Sequence, residues 1–496
     1  MGTNESIERS ELKHKALGSF VWQFLQKIFG QLFSFVVTII LARLLLPSDY
    51  GVVALASMFN VLVGIFISGS MDAALIQKKD ADELDYNTVF YSSLFMSLVI
   101  YSLVFFGAPI IANIYGNPLV TPVMRVLALT MPIGALAMVQ NATVSKQLQF
   151  KKFFYASLAG QIISSATGIT MAYSGFGPWA LVAQNMIACI SNTVVMFFLV
   201  SWHPKLMFSF IRFKELFNYA WKKTAAGFIG TLCDQLKGYL IGYKYTMADL
   251  AYFNRGEGLP DMFRNNISGT INAVLFPTLS QVSDDPQVVK RGIRRAMMTS
   301  SYILCPIFLG LGAISEQVVP LLYSERWLPA IPFMKVACLT SCVIVLNNAN
   351  LQSIFAIGKS GEVLRLEFYK KPVMISILFV AIFISPLAIS IGMFFYSLYV
   401  LYMNTKPNKK FLGYSLKEQI NDVKGGLLLS LLMAMIVFAI GQFVANLYIS
   451  LAIQITFGVC FYVGLSEWLK LEAYVYVKQT FLGIIREKMK KHEYKA

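Results

Sequence analysis

The 496-residue chain is 56% hydrophobic and 14% charged, with a formal net charge of +16 and a mean hydropathy of +0.61. That composition excludes a soluble globular domain and asks for lipid as the surrounding solvent. The basic excess alone would also suit nucleic acid, so the positions of the 42 Lys and Arg residues decide between the two.

Apolar stretches of the roughly 20 residues that cross a bilayer as a helix recur along the whole chain. They fall at 17–43, 50–70, 88–112, 119–143, 153–173, 178–200, 220–243, 250–279, 294–315, 330–355, 368–385, 386–403, 425–445 and 447–468. Runs such as Phe33 to Leu41 and Leu427 to Ile440 are continuously apolar, unlike the alternating segments of a β-barrel. The polar start, with Glu5, Glu8, Arg9, Glu11 and Lys13, does not read as a cleavable signal peptide. Cys189, Cys233, Cys305, Cys338, Cys342 and Cys460 all lie inside these spans without metal-ligand spacing, and read as packing residues.

Of the 42 basic residues, 33 lie in the two tails and in the breaks at 71–87, 144–152, 201–223, 280–295, 356–371 and 404–424. The opposite loops, at 47–49, 113–118, 174–178, 246–249, 316–329 and 446, contain only Arg326. The positive-inside rule then places both termini of a multi-pass membrane protein in the cytoplasm. The charge reads as topology plus attraction to anionic membrane lipids, with no nucleic acid as partner. The tail beyond Lys470, where Lys478, Arg486, Lys488, Lys490 and Lys491 alternate with Val475, Val477, Phe481, Leu482 and Ile485, reads as an interfacial amphipathic helix or a solvated charged segment.

An internal duplication is visible. Pro122-Val-Met-Arg-Val-Leu-Ala-Leu-Thr130 recurs as Pro332-Phe-Met-Lys-Val-Ala-Cys-Leu-Thr340, Ile114-Tyr115 answers Leu322-Tyr323, and Trp22 with Asp49 answers Trp221 with Asp249. An even number of spans separates the matched points, so the halves share one orientation, as in parallel transporter repeats. The expected architecture is an all-α polytopic membrane protein of about 14 helices. It has an N-lobe at 1–210 and a C-lobe at 211–417, each of six helices and related by a pseudo-two-fold axis along the membrane normal. Two further helices and a basic tail occupy 418–496.

Charged residues at membrane depth cost at least about 2.5 to 3.5 kcal/mol each and mark functional positions. In the first span Gln23, Lys27, Gln31, Ser34 and Thr38 share one helical face. The seventh span places Thr224, Thr231 and Gln235 on one face, with Asp234 one turn from Lys237. The eighth carries Glu257, Asp261, Arg264, Ser268 and Asn272 in one stripe, where Asp261 and Arg264 are spaced to pair. Arg255 points away from that stripe and needs another partner. Lys27 has no acid nearby in its own helix and suits a phosphate or polyhydroxylated ligand. Arg125 and Lys335 lie near the outer ends of their spans, where snorkelling explains them equally well. Asp72 is a conceivable proton or sodium site.

The stretches Leu41-Ala-Arg-Leu-Leu-Leu-Pro-Ser-Asp-Tyr-Gly51, Ala74-Leu-Ile-Gln-Lys-Lys79, Lys146-Gln-Leu-Gln-Phe-Lys-Lys152, Val274-Leu-Phe-Pro277 and Val319-Pro-Leu-Leu-Tyr323 with Trp327 follow one another in a familiar order. Together they resemble the polysaccharide-transporter branch of the multidrug/oligosaccharidyl-lipid/polysaccharide exporter superfamily, especially colanic-acid-type repeat-unit exporters. The resemblance implies alternating access through a cationic cavity and an undecaprenyl-diphosphate-linked oligosaccharide as substrate. It implies no enzymatic activity and no resident cofactor, and leaves open proton or sodium coupling and partnership with a polysaccharide polymerase and chain-length machinery. On that reading Lys27, Lys237, Arg255 and Arg264 contact diphosphate or acidic sugar, and Gln23, Gln31 and Gln235 contact sugar hydroxyls.

Two other classes stay open at this point. A multidrug antiporter of the same superfamily would present Asp72, Asp234, Glu257 and Asp261 to a cationic substrate. A membrane polymerase or ligase would need a catalytic domain, for which the outer loop 316–329 is too short, while His14, His203 and His492 form no cluster.

Overall fold

The structure, a computed structural model, describes residues 2–68, 71–78, 80–280, 285–444 and 446–493. Side chains are described outside 1–21, 24, 68, 73, 219, 222–223, 266–278, 280, 481 and 484–493. Contacts divide the chain into two compact units, 1–251 and 252–496.

The first unit runs through α1 Gly2–Leu44, α2 Pro47–Ser68, α3 Met71–Gln77, α4 Glu83–Ile114, α5 Val120–Ala128, α6 Thr130–Leu136, α7 Met138–Lys146, α8 Phe150–Tyr173, α9 Pro178–Leu199 and α10 Phe210–Lys244. It ends in the first turn of α11, Met247–Ser280. The second continues through α12 Pro286–Ala313, α13 Ser315–Tyr323, a 3-10 turn Glu325–Ala330, α14 Ile331–Ala356, α15 Ser360–Ala381, α16 Pro386–Leu412, α17 Leu416–Phe443, α18 Leu447–Trp468 and α19 Glu472–Glu493.

In hydrocarbon every backbone group must be satisfied within its own segment, so helices are the expected solution. Each of the fourteen spans read from the sequence falls on one, or for 119–143 on the series α5 to α7. Among the described residues nine helices are long and apolar enough to cross a membrane, or ten with the bent pair Val120–Leu136 and Met138–Lys146. That series bends by 47° at Ala137, where φ −91° and ψ 1° depart from the helix.

Capping residues set the helix ends. Asp82 and Asp85 form a capping box on α4, and Ser415 with Glu418 forms one on α17. The Ser415 amide and then Lys290 hold the Glu418 carboxyl below its usual range. The duplication is visible in the same chemistry. Asp49 accepts from the Leu46 amide at 3.2 Å before α2, and Asp249 accepts from the Thr246 amide at 3.1 Å before α11.

Small residues bring the helices together, as expected where lipid gives no hydrophobic drive between them. Ala156, Gly160, Ser164, Gly168 and Ala172, each four residues from the next, are buried along α8. Gly160 and Gly168 on that stripe meet Ala188 and Gln184 of α9. In the second unit Gly256 lets α11 lie against the start of α14, where an added Cβ would stand 2.6 Å from the Phe333 Cβ and 2.8 Å from the Ala330 carbonyl.

Polar side chains are also laced together inside the second unit. Gln419 of α17 exchanges two 2.9 Å hydrogen bonds with the Asn350 amide of α14. Asn408 of α16 donates to Asn350 Oδ1 at 2.9 Å and accepts from Ser353 at 2.6 Å. Asn404 donates to Asn347 and accepts from buried Lys370, whose charge is paired with Glu367.

Gly256→Ala should therefore destabilise the full chain by about 1–3 kcal/mol through overpacking. Gly258→Ala, where nothing lies within 4 Å, should leave it unchanged or slightly more stable. Thermal unfolding in detergent compares the two, and equal melting temperatures would deny the close α11–α14 contact. By the same measurement Gln419→Leu should cost about 1–3 kcal/mol by orphaning the Asn350 amide. An unaltered melting temperature would mean that the amide lacing contributes nothing net.

Candidate functional site

The long α1 sorts its residues by face. Trp22 and Phe29 rest on Phe154 of α8 at ring distances of 5.4 and 6.3 Å, and Gly30 meets Gln161. The polar stripe stands about a third of a turn away from this contact. Gln23, Lys27 and Ser34 are exposed there, and Gln31 and Thr38 are half-buried. No ion pair or hydrogen bond holds the Lys27 ammonium among the described residues. Lys27 lies inside the apolar stretch 17–43, between Phe24-Leu25 and Ile28-Phe29.

The α10 face divides differently. Tyr239 donates to the Met58 carbonyl at 2.9 Å, its ring lies 4.7 Å from that of Phe59, and Gly227 and Gly238 also meet α2. Thr224 is buried, donates to the Ala220 carbonyl at 3.1 Å and lines a cavity of about 240 Å³ with Ser92, Ser93 and Trp221. Thr231 and Gln235, half-buried, share that packing side, while Asp234 is exposed and Lys237 half-buried. The seventh-span stripe is thus mainly a seam onto α2.

On α11, Arg264 pairs with Asp261 at 2.8 Å, as their spacing allows, and Glu257 is half-buried. Ser268 and Asn272 lie outside the described side chains. The partner that Arg255 requires is aromatic. Its guanidinium sits 5.0 Å from the Tyr323 ring and 5.1 Å from the Trp327 ring, a cation–π arrangement that anchors the charge.

Arg125 and Lys335, matched by the duplication, are both held within their own units. Arg125 donates to the Phe105 carbonyl at 3.0 Å and lies 4.0 Å over the Phe105 ring. Lys335 pairs with Glu316 at 2.6 Å and so, with Gln442, holds that carboxyl below the usual carboxylate range. Asp72 lines a cavity of about 370 Å³ beside Asn60, Gly64, Thr130 and Asn141. The buried Oδ1 of Asn60 has no hydrogen-bond partner among the described residues.

The structure brings these residues together only in part. Asp261 with Arg264, and Asp72 with Asn60 and Asn141, are local groupings, whereas Arg125, Arg255 and Lys335 are each fixed by neighbours of their own. Sequence reading missed the buried amides, Asn347, Asn350, Asn404, Asn408 and Gln419, with Lys370. The signal was present in the spacing of Asn347 and Asn350, and of Asn404 and Asn408, on single helix faces.

Residues 40–332 match the family model described as polysaccharide biosynthesis protein. The chain is 20% identical over 340 residues to the succinoglycan biosynthesis transport protein ExoT of Rhizobium meliloti, covering 68% of this chain and 69% of that one. It is 22% identical to the lipopolysaccharide biosynthesis protein WzxC of Escherichia coli, with 68% and 69% covered. It is also 22% identical to the teichuronic acid biosynthesis protein TuaB of Bacillus subtilis, with 62% and 64% covered. In fold it is similar to the lipid II flippase MurJ in an inward closed conformation, with a TM-score of 0.69 at 16% identity over 91% of this chain and 98% of that chain. An inward-facing multidrug transporter of the MATE family gives a TM-score of 0.57 at 12% identity over 80% and 98%. With the family model spanning more than half of its length, the chain belongs to the polysaccharide biosynthesis protein family, in the polysaccharide-exporter branch that its motifs resemble.

Proposed function

We propose that the protein is a flippase, not an enzyme, and moves a lipid-linked oligosaccharide repeat unit from the cytoplasmic to the periplasmic leaflet by alternating access. The cargo is an undecaprenyl-diphosphate-linked unit destined for a surface polysaccharide such as O-antigen, capsule or exopolysaccharide. The names of its relatives support the pathway, and the fold shared with a lipid II flippase supports the mechanism.

The observation that carries the reading is Lys27. It is an exposed cation without a protein partner among the described residues, inside the apolar span 17–43 and flanked by Gln23, Gln31 and Ser34. A charge in that position is tolerated when hydrated or when an anion reaches it. A diphosphate supplies the anion, and the amides and hydroxyl along the same face suit sugar hydroxyls. Gln235 and Lys237 in the same unit, and separately the α11 stripe of Glu257, Asp261 and Arg264 in the second, are further proposed contacts. Asp261 is already neutralised by Arg264, which weakens the case for a receptor of cationic drugs.

Lys27→Ala and Lys27→Gln should cut export of surface polysaccharide about tenfold, the worth of a charged hydrogen bond, while membrane levels of the protein stay normal. Lys27→Arg should retain most of the export. The checks are quantification of cell-surface polymer in a strain carrying only the variant, and flipping of a fluorescent lipid-linked oligosaccharide in proteoliposomes. Full export by both neutral variants would remove the anionic-headgroup contact, and absence of flipping by the wild-type protein would sink the transport reading itself.

A further inference from the structure

We infer that the second unit holds a phospholipid site, a pocket between α12 and the start of α19 that takes the phosphate of an anionic membrane lipid. The pocket has a volume of about 430 Å³ and is lined by Arg295, Met298 and Thr299 of α12 and by Lys470, Glu472, Tyr476 and Gln479 at the α18–α19 junction.

Charge accounting singles it out. The three acids around the junction are all engaged by other cations. Asp422 and Glu472 each accept from Arg294 at 2.9 Å, and Glu467 accepts from Lys478 at 2.8 Å. Arg295 and Lys470 are left without an acidic partner among the described residues. Arg295 is aimed by the Tyr476 ring, which lies 5.5 Å below its guanidinium. Lys470 is placed by the backbone. It occupies φ +48°, the left-handed position that normally goes to glycine after a helix. The Leu471 amide returns to the Ser466 carbonyl at 3.2 Å around it. A lysine held where glycine is cheaper, and lining a pocket, is a placement that stability alone does not explain.

The remaining features suit a lipid phosphate. Leu471 precedes α19 and offers no side-chain oxygen to its first amides, so the positive end of that helix also faces the junction. Thr299 and Gln479 supply neutral donors for ester or glycerol oxygens. Trp468 ends the apolar span of α18, is 77% exposed, and marks the headgroup level where tryptophan concentrates. Basic pockets at this level on the cytoplasmic side select anionic lipids, and the tally of basic loops assigns this end of the helices to that side. The site does not depend on what the protein transports.

The test titrates the purified full-length chain in detergent with dihexanoyl phosphatidylglycerol, dihexanoyl phosphatidylcholine or inorganic phosphate, and reads bound lipid by native mass spectrometry. Phosphatidylglycerol should bind about tenfold more tightly than phosphatidylcholine. Arg295→Gln and Lys470→Gly should each weaken it about fivefold, the share of one basic residue near a membrane surface. Lys470→Gly relieves the left-handed backbone, so its loss of binding cannot be assigned to misfolding, and size-exclusion elution should be unchanged. Equal binding of the two lipids, or undiminished phosphatidylglycerol binding by the double variant, would overturn the site. Inorganic phosphate that displaces the lipid at equal concentration would show a soluble anion to be the occupant and would overturn the lipid assignment.

Discussion

The cost of an uncompensated charge in hydrocarbon is the constraint on which the other features depend. It drives ion pairs to helix ends in both units. In the first, Asp85 is fully buried between Lys78 at 2.7 Å and Arg212 at 3.6 Å, while Arg212 also reaches Asp82 at 3.3 Å. In the second, Lys290 meets Glu418 at 3.2 Å, and Arg294 bridges Asp422 and Glu472. Because these pairs join loops to helix starts, the basic residues that set topology also fix where each helix begins. The cations left outside such pairs become informative, and Lys27, Arg295 and Lys470 are the clearest of them.

Much of the fold was legible in the sequence because apolar length is a strong signal when the solvent is lipid. Every expected span fell on helix, and the Asp49 and Asp249 match proved to be shared cap chemistry. The candidate site was less legible. Helical spacing gives the face on which Thr231 and Gln235 lie, but not whether that face meets lumen or helix. The glycines at 227 and 238, which seat α10 on α2, turned that face inward. Arg255 was recognised as lacking a partner on its own helix. Its partners, Tyr323 and Trp327, are more than sixty positions away in sequence, and only folding brings them near. The α8 stripe of small residues was readable in principle, since its period of four is regular from Ala156 to Ala172.

Mean hydropathy also concealed the buried amides. Asparagine and glutamine at the ends of apolar spans read as loop-like, yet α16 continues to Leu412 through Pro407 and carries Asn404 and Asn408 into the interior. Each amide has a donor and an acceptor end, so a set of them can satisfy itself without water, and a half-satisfied set would be worse than an apolar core. The network therefore specifies the relative register of α14, α16 and α17 more strongly than methyl packing would.

Comparison of matched positions shows how the two halves have diverged physically. The offset of 210 residues pairs Pro132 with Cys342 and Gly134 with Ile344. Around proline and glycine the segment is broken at Leu129 and Ala137 into α5, α6 and α7, and bends by 47° at Ala137. Where cysteine and isoleucine stand, α14 runs unbroken for 26 residues. The same offset pairs Gln140 with Asn350. Both are fully buried, but Asn350 is engaged by Gln419 and Asn408, whereas neither amide atom of Gln140 has a partner among the described residues. The broken series also borders the 370 Å³ cavity holding Asp72 and Asn60. A broken series beside a void leaves fewer neighbours to resist bending than a continuous helix tied by amides. Bending is thus easier in the broken series of the first unit than in the continuous α14 of the second.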